Sequence, residues 1–464
     1  MEIDIYKLQN ENVALLRFPM VQGARPFTIT GFWGIQPIAA SPLVRVAFLL
    51  LYVLGLAGCA GRPLMPTPNL YASAGREPFT AVGADQRSTR IDLLYVTDRA
   101  PERDEQGNLG YGHERSRSMA FGSATIQIGE EGTWEALARD SGRHKRSEPW
   151  DLQLDSVREL GRFPPTPLPF TIEDGRVVRD ASSLQVQAHT EEALRSEIVR
   201  RLSMTPEKEV IVYVHGYNND FDDAAFTLAE LWHFAGREGV PLLYTWPAGR
   251  GGLTGYAYDR ESGEFTIFHL KQLLRALSRV PEIERIHLLA HSRGSDVTLS
   301  AVRELAIEAR ASGVDPRTRY RIANLILAAP DMDVEVLGQR VIAEGMGAGP
   351  DLVTIYASRG DRALGLAEKL FGSVMRLGRA REGSLPPDIV NLVEKAVNVS
   401  VVESRVRTGL IGHGYFHSDP AASSDLILVI RDRRRPGAEH GRPLKPAETN
   451  LWVLEDGYPA LPKP

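Results

Sequence analysis

The sequence contains a single cysteine, Cys59, so the chain cannot form an internal disulfide. It also lacks an excess of charge of either sign, because 54 basic and 59 acidic side chains give a net charge of -5. Such a balance offers no basic field for nucleic acid and no polybasic patch for a membrane surface, so we expect no nucleic-acid partner. A chain of 464 residues, 43% of them hydrophobic, can still bury the core of one large α/β domain or of two domains.

Apolar runs long enough to cross a bilayer are also missing around Cys59. Thirteen uncharged residues, Val46 to Gly58, follow Arg45, whereas a spanning helix needs about 20. This length is typical of the apolar region of a signal peptide. The residues Leu56-Ala57-Gly58-Cys59 are similar to a bacterial lipobox, in which the cysteine is lipidated and the preceding residues are removed. A short membrane anchor or a buried apolar segment is the alternative interpretation.

These features predict how the chain is divided. Residues 1–58 are predicted to be a lipoprotein signal peptide, with Met20 as an alternative start, and residues 59–86, rich in Gly, Pro, Ser and Ala, a flexible tether. A large α/β domain is expected at 87–434, with an irregular insertion near 129–185, followed by a C-terminal tail at 435–464. A lipid on Cys59 would hold the protein in the bacterial cell envelope. Ala60 after the cysteine favours the outer membrane in a Gram-negative source, and the sequence does not indicate an oligomeric state.

From Glu209 onward, short apolar runs alternate with helical patterns. Runs of this kind, without polar alternation, are typical of strands buried on both faces, and the helices between them supply the crossovers. The predicted strands are Ile91–Val96, Ser123–Ile128, Val210–Val214, Leu242–Trp246, Ile286–Ala290, Asn324–Ala329, Leu352–Ala357 and Val397–Val402. The fold class is therefore predicted to be α/β, a mostly parallel doubly wound sheet flanked by helices.

Ser292 lies where one of these strands turns into a helix, in Ala290-His291-Ser292-Arg293-Gly294. This stretch is close to the G-x-S-x-G nucleophile elbow, with Ala290 in place of the first glycine. The positions two before and two after the serine need small residues because strand and helix backbones approach there. The alternative is a serine that only caps the helix.

An earlier strand ends in His215-Gly216 and supplies a candidate oxyanion hole. The backbone N–H groups of Tyr217 and Arg293 are the expected donors, since this arrangement takes one donor after the nucleophile and one from an earlier loop. His215 is expected to orient the loop rather than to catalyse. The carboxylates Asp220, Asp222 and Asp223 could suggest calcium, but acidic residues in the first turn of a helix are the simpler account. We therefore predict no metal site.

The candidate base is a histidine late in the chain, because the triad order in this arrangement is serine, acid, histidine. His413 stands on a glycine-flanked loop after the last strand candidate and is preferred over His417, which is nearer the helix that Asp419 and Pro420 begin. His440, in an Arg- and Pro-rich stretch, is discounted.

The candidate acid is Asp361, which follows a predicted strand by a short turn. Asp331 and Asp333, after the preceding strand, are the alternatives. Any of the three could instead cap a helix or form a salt bridge. Asp361 is preferred because the acid more often follows the later strand.

Several motifs occur in a consistent order: YVTDRAP, IVYVHGYNNDF, LYTWPAG, LLAHSRGSDV, LAAPDMD, YASRGDRAL and GHGYF. Together, over residues 91–430, they resemble an uncharacterised bacterial α/β-hydrolase family of the esterase/lipase superfamily. The resemblance implies an α/β-hydrolase fold and a Ser-His-Asp hydrolase with Ser292, Asp361 and His413 as the triad. It implies no particular substrate.

The sequence thus favours a membrane-anchored serine hydrolase that cleaves carboxylic esters, of small molecules or lipids, through an acyl-serine intermediate without a cofactor. A thioesterase, amidase or acyltransferase would use the same residues. A non-catalytic envelope lipoprotein on a hydrolase scaffold is the alternative outside enzymes, because a fold alone does not define a function. Trp246 and the glycine-rich residues 249–255 could shape an acyl pocket, although a tryptophan after a central strand is more often part of the core.

Overall fold

The structure, a computed structural model, describes residues 61–459 except 74–75, 346–348, 372–374, 385, 408 and 410. The predicted signal peptide and the lipobox cysteine Cys59 lie outside these residues. None of the helices in the described part is both long and apolar enough to cross a membrane.

Twelve of the described strands form one sheet, and two more form a separate hairpin. The strands are β1 (Arg62–Pro63), β2 (Arg90–Arg103), β3 (Leu109–Ile128), β4 (Asp151–Arg162), β5 (Phe170–Glu173), β6 (Arg176–Arg179), β7 (Glu209–Val214), β8 (Val240–Thr245), β9 (Arg285–His291), β10 (Ile322–Ala328), β11 (Leu352–Ala357), β12 (Val399–Ser404), β13 (Lys445–Glu448) and β14 (Leu451–Leu454). The order in the sheet is β1-β4-β3-β2-β8-β7-β9-β10-β11-β12-β14-β13, and β5 pairs with β6.

The centre of the sheet is parallel. Strands β2, β8, β7, β9, β10, β11, β12 and β14 run in one direction. Antiparallel pairs extend it on both sides, through β3, β4 and β1 on one side and β13 on the other. The register of β7 and β9 aligns Val214 with Ala290, so their carboxyl ends lie side by side. The mostly parallel doubly wound sheet predicted from the apolar runs is confirmed.

Helices cover both faces of the sheet. They are α1 (Asn69–Ala72), α2 (Trp134–Asp140), α3 (Ala181–Ser203), α4 (Phe221–Phe234), α5 (Gly252–Ser278), α6 (Arg293–Ala311), α7 (Pro316–Tyr320), α8 (Val334–Leu337), α9 (Arg362–Phe371), α10 (Pro387–Lys395), α11 (Tyr415–Ser418) and α12 (Pro420–Ile430). Alternate residues of β7 enter opposite cores, because successive strand side chains point to opposite faces. Val212 packs with α3, α5 and α6, whereas Tyr213 packs with α4 and α12.

The segment predicted to be a flexible tether is instead packed onto the domain. Arg62 and Pro63 pair with β4, and Leu64, Leu70 and Tyr71 are buried in the core beside α4 and α12. The Gly, Pro and Ala content suggested a linker, but the few large apolar residues are spaced so that they fill the groove between these two helices.

The predicted irregular insertion and C-terminal tail also contain ordered strands. Within 129–185, β4 joins the main sheet, and the β5–β6 hairpin precedes α3. Helix α3 begins at Ala181 with Asp180 as its N-cap, so it starts inside the segment predicted to be irregular. In 435–464, β14 extends the parallel sheet. Strands β4, β5 and β6 were missed because charged and polar residues interrupt their apolar pattern, and β14 was missed because a run of four apolar residues is short.

Candidate active site

Ser292 occupies a sharp turn between β9 and α6. Its backbone dihedrals, φ 52° and ψ -123°, lie in a region that residues with side chains rarely adopt. Ser292 is at the N-cap position of α6, yet its hydroxyl makes no capping hydrogen bond to that helix. Helix capping therefore does not explain a serine at this position.

Two glycines allow the backbones around Ser292 to approach closely. A Cβ on Gly216 would lie 2.7 Å from the Cβ of Ser292, and a Cβ on Gly294 would clash with the carbonyl oxygen of His215. Both contacts join the loop after β7 to the turn after β9. Gly294, two residues after the serine, and the His-Gly turn of the earlier strand are thus parts of one packed junction.

His413 and Asp361 form a hydrogen-bonded pair at the same edge of the sheet. Nδ1 of His413 lies 2.6 Å from Oδ2 of the fully buried Asp361. The other carboxylate oxygen accepts a hydrogen bond from the Leu364 amide at 3.0 Å, which fixes its orientation. A proton on Nδ1, donated to the carboxylate, leaves Nε2 of His413 available as a base.

The loop that carries His413 packs on the residue preceding Ser292. Nε2 of His291 is 3.2 Å from the His413 carbonyl oxygen, and the two imidazole rings are 4.7 Å apart between centroids. Burial, reinforced by the neighbouring His413 and His417, holds the pKa of His291 well below its usual value. His291 is therefore neutral and can donate its Nε2 proton to that carbonyl.

The two alternative acids have other contacts. Asp331 accepts a hydrogen bond from the Tyr256 hydroxyl at 2.8 Å and lies 3.5 Å from the Arg376 guanidinium. Asp333 caps α8 by accepting the Glu335 amide. Of the three candidate carboxylates, Asp361 is the one that the structure brings to His413.

His417, the alternative base, is paired with a different carboxylate. Its Nδ1 is 2.9 Å from Oε1 of Glu230 on α4, a fully buried side chain that also binds Arg62 at 2.6 Å. Glu230 has no recognisable motif around it. Its position in an otherwise apolar helical stretch is the sequence signal that could have indicated a buried ion pair.

The loop after β7, predicted to supply an oxyanion donor, is held by side-chain hydrogen bonds. The Gly216 amide donates to Oδ1 of Asn219 at 3.3 Å, and the Asn218 amide donates to Oδ2 of Asp259 at 3.0 Å. Asp220 caps α4, as expected from its place before the helix. Tyr217 lies on this loop, and Arg293 directly follows Ser292. The role of their backbone N–H groups in an oxyanion hole stays a prediction.

A buried arginine that sequence reasoning left without a role supports this loop. The fully buried Arg99, in the YVTDRAP motif, donates to the Asn219 carbonyl at 2.7 Å and to the Thr245 hydroxyl at 2.8 Å. Its guanidinium is also 3.3 Å from Nε2 of His215. Burial lowers the pKa of Arg99 to about 10, which still leaves it charged at neutral pH.

His215 is a structural residue in this arrangement. Its Nδ1 faces the Gly216 carbonyl, and its Nε2 accepts the Trp246 amide, while its ring stacks on the Trp246 indole. Burial and the charge of Arg99 keep the pKa of His215 well below its usual value. Trp246 is fully buried and belongs to the core.

Polar groups also line a cavity next to the turn that carries Asp361, the candidate acid. A cavity of about 800 Å³ opens at the carboxyl ends of β11 and β12, and its lining includes Ser358, Gly360, Arg381, Glu403 and Arg405. Among the residues that the structure describes, no group of three or more His, Cys, Asp or Glu side chains could hold a metal ion.

The parallel sheet with its strand–turn–helix serine defines the chain as an α/β hydrolase. The family model for "Alpha/beta hydrolase of unknown function (DUF900)" matches residues 190–433, more than half of the chain, and the chain belongs to this family. A comparison with curated proteins finds no match.

Three solved structures show distant similarity. A protein from Lactobacillus plantarum, named as a proposed cell surface hydrolase, is 13% identical, with a TM-score of 0.27 over 49% of this chain and 91% of its own. A hydrolase from Oleispira antarctica is 12% identical, with a TM-score of 0.22 over 50% and 85%. A lipase-esterase related protein from Clostridium acetobutylicum is 11% identical, with a TM-score of 0.21 over 49% and 90%.

Proposed function

We propose that the protein is a membrane-anchored serine hydrolase that cleaves carboxylic esters through an acyl-serine intermediate. One observation carries the proposal: Ser292, in a strained turn and not capping its helix, lies beside a loop whose His413 is hydrogen-bonded to the buried Asp361. A strained backbone is stabilised only by its surroundings, and such positions cluster at functional sites.

In the proposed reaction, Oγ of Ser292 attacks the ester carbonyl while Nε2 of His413 takes the hydroxyl proton. Asp361 stabilises the resulting imidazolium, and the N–H groups of Tyr217 and Arg293 bind the oxyanion. The tetrahedral intermediate collapses, the alkoxide leaves with the proton from His413, and Ser292 remains acylated. Water then attacks the acyl group, His413 again takes and returns a proton, and the carboxylic acid is released.

The proposed anchor is a lipid on the sulfur of Cys59, which would hold the mature chain in the bacterial cell envelope. The support is the sequence alone, namely the Leu-Ala-Gly-Cys stretch after thirteen uncharged residues. Neither this attachment nor the proposed hydrolysis requires a metal or an organic cofactor at the site.

The catalytic proposal is tested by hydrolysis of a panel of p-nitrophenyl esters of increasing chain length. Ser292→Ala should keep the fold by circular dichroism and lose turnover to the residual level left by binding and the oxyanion hole. The Ser292→Ala/His413→Ala double variant should fall little further, because residues that act as one unit are not additive. Unchanged ester turnover in Ser292→Ala would refute the proposal, and Ser295→Ala, three residues on, is the matched control.

The anchor is tested separately by fractionation. Cys59→Ala should leave the precursor unprocessed or release the protein from membranes, because the thioether needs that sulfur. Normal lipid labelling and membrane association of Cys59→Ala would refute the lipoprotein assignment while leaving the catalytic proposal untouched.

A further inference from the structure

The chain joins the folded domain directly beside the candidate active site. The guanidinium of Arg62 donates to the Asp223 carbonyl at 3.1 Å and to the Thr227 hydroxyl at 3.0 Å, both in the first two turns of α4. It also lies 3.3 Å from Nδ1 of His417, four residues after His413. α4 directly follows the loop after β7, and His417 follows His413 by one helical turn, so the Arg62 guanidinium lies beside two elements that adjoin the candidate site, while the Arg62 backbone pairs with Leu152 at the start of β4.

The docked segment, residues 61–73, then runs away from that edge. The Leu70 amide donates to the Ser424 hydroxyl in α12 at 3.0 Å, and the Tyr71 hydroxyl donates to the Phe234 carbonyl at the end of α4. Just beyond the segment, Arg76 pairs with Asp432, past the end of α12. Asp223 and Thr227 lie in the first two turns of α4, next to the loop after β7, whereas Phe234 is its last residue. Arg62 therefore contacts α4 nearer to the active-site loop than Tyr71 does.

The residues on either side of the His413–Asp361 pair expose large apolar side chains. Ile411, two residues before His413, is 65% exposed, and Leu366, on the helix that follows Asp361, is 56% exposed. The Arg362 amide donates to the Ile411 carbonyl at 3.0 Å, which ties the loop and the helix together. We call Ile411 and Leu366 the apolar rim. Neighbouring exposed apolar side chains often mark contact with a membrane or another apolar partner.

We propose that the lipid on Cys59 holds this edge of the domain against the bilayer, so that the substrate is a lipid ester drawn from the membrane that carries the anchor. The inference rests on the proposed function for both the anchor and the ester chemistry. Two residues, Ala60 and Gly61, separate Cys59 from Arg62, so the three residue steps between them reach about 11 Å when fully extended. In this proposal, so short a connection keeps the lipid within that reach of Arg62.

A short connection of this kind selects the substrate by geometry. A site held at the bilayer surface meets lipid esters at high effective concentration, as any tethered binding event does. The apolar rim would contact the acyl region of the bilayer and so remove apolar surface from water.

The orientation is tested by site-specific labelling, which the cysteine content makes simple. Once Cys59 is lipidated, an introduced cysteine is the sole free thiol. The lipidated protein is reconstituted in phosphatidylcholine vesicles, and a nitrobenzoxadiazole label is placed by Ile411→Cys. Val397→Cys is the control, since Val397 is 86% exposed and precedes β12 at the opposite edge of the sheet. Spin-labelled lipids should quench the label at 411 and leave that at 397 unchanged. Equal quenching at both positions, or none at 411, would overturn the orientation without bearing on catalysis.

The substrate class is tested by lengthening the connection. Twenty Gly/Ser residues inserted between Ala60 and Gly61 add a root-mean-square reach of about 25 Å. Turnover of a diacylglycerol ester in the same vesicles should fall on the order of tenfold, whereas turnover of a soluble p-nitrophenyl ester should not change. Unchanged turnover of both esters would overturn the inference and leave the proposed function standing. Absence of hydrolysis of either ester by the protein without the insertion would overturn both.

Discussion

Two histidines four residues apart, His413 and His417, each pair with a buried carboxylate, and they are easily confused. Their Nδ1 atoms lie 2.6 Å and 2.9 Å from Asp361 and Glu230, and their side chains are 20% and 18% exposed. The difference lies in what else the carboxylate binds. Oε1 of Glu230 is shared with the Arg62 guanidinium, whereas Oδ2 of Asp361 faces His413 and its Oδ1 takes a backbone amide.

This comparison teaches that a histidine–carboxylate pair does not by itself mark a catalytic base. The Arg62 guanidinium already compensates the negative charge of Glu230 at the same oxygen. Glu230 would therefore stabilise a positively charged imidazolium less than a carboxylate without such a partner. Asp361 has its charge directed at His413, which lies on the loop packed against the residue before Ser292. The Glu230 pair fastens the docked segment, and the Asp361 pair is the one that transfers the proton in the proposed mechanism.

The largest expected difference is between the two histidines themselves. His413→Ala should lower kcat for ester hydrolysis by roughly 10⁴-fold or more, because loss of the base disables the triad as a unit. His417→Ala should stay within about threefold of the parent. This is tested by measuring kcat for ester hydrolysis with both purified variants. An inactive His417→Ala together with an active His413→Ala would reverse the assignment.

The carboxylates should separate in the same way. Asp361→Asn should lower kcat by about 10⁴-fold, the size seen where an amide leaves the histidine in the wrong tautomer. Asp331→Asn and Asp333→Asn should each retain most of the turnover, because these side chains hold Tyr256 and cap α8. A nearly silent Asp361→Asn together with an inactive Asp331→Asn would move the acid to the earlier strand.

Glu230→Gln should affect stability and leave the chemistry intact. It leaves Arg62 without its anion, so we expect the free energy of unfolding to fall by about 1–3 kcal/mol, with kcat within threefold of the parent. Urea denaturation measures the first and ester turnover the second. A large fall in kcat with full stability would mean that the two pairs are functionally linked.

The remaining prediction concerns the pH dependence of stability, with no change in the chemistry. The pKa values of the buried His215, His233 and His291 are all held well below the usual 6.5. The unfolded chain therefore binds protons that the folded chain does not, and stability is greatest above pH 6.5 and falls as the pH is lowered from there. Each histidine contributes up to about 1.4 kcal/mol per pH unit to that slope. Urea midpoints that stay constant from pH 7.5 to 5.5 would contradict the neutral state of these rings.

Much of the fold could be predicted, because the central strands are short apolar runs with no competing pattern. The eight runs predicted to be strands each overlap a strand of the main sheet, within two residues at the ends of three of them, and Asp419 and Pro420 begin α12 as expected. Strands β4 and β13 could not be found this way, since charged residues interrupt their apolar ones, and the four apolar residues of β14 form too short a run to stand out. The docked segment was predicted to be a tether because composition cannot reveal that Arg62 finds a buried Glu230 168 positions later.

Some residues of the candidate site could likewise be predicted from the sequence, and others could not. Ser292, His215-Gly216 and Asp361 each follow a recognisable strand, so their position at one edge follows from parallel topology. The supporting residues Arg99 and Asp259 could not be assigned, because their contacts join loops far apart in sequence. The distinction between His413 and His417 depended on glycines near His413, and the structure adds the physical reason, namely the carboxylate that each ring meets.

The central claim is that Ser292 is a nucleophile activated through His413, and covalent labelling with a fluorophosphonate probe tests it most directly. The probe adduct, located by mass spectrometry of tryptic peptides, should be on Ser292, and labelling should disappear in Ser292→Ala and slow severely in His413→Ala but not in His417→Ala. Labelling that persists in Ser292→Ala, or that is equally fast in His413→Ala, would contradict the account.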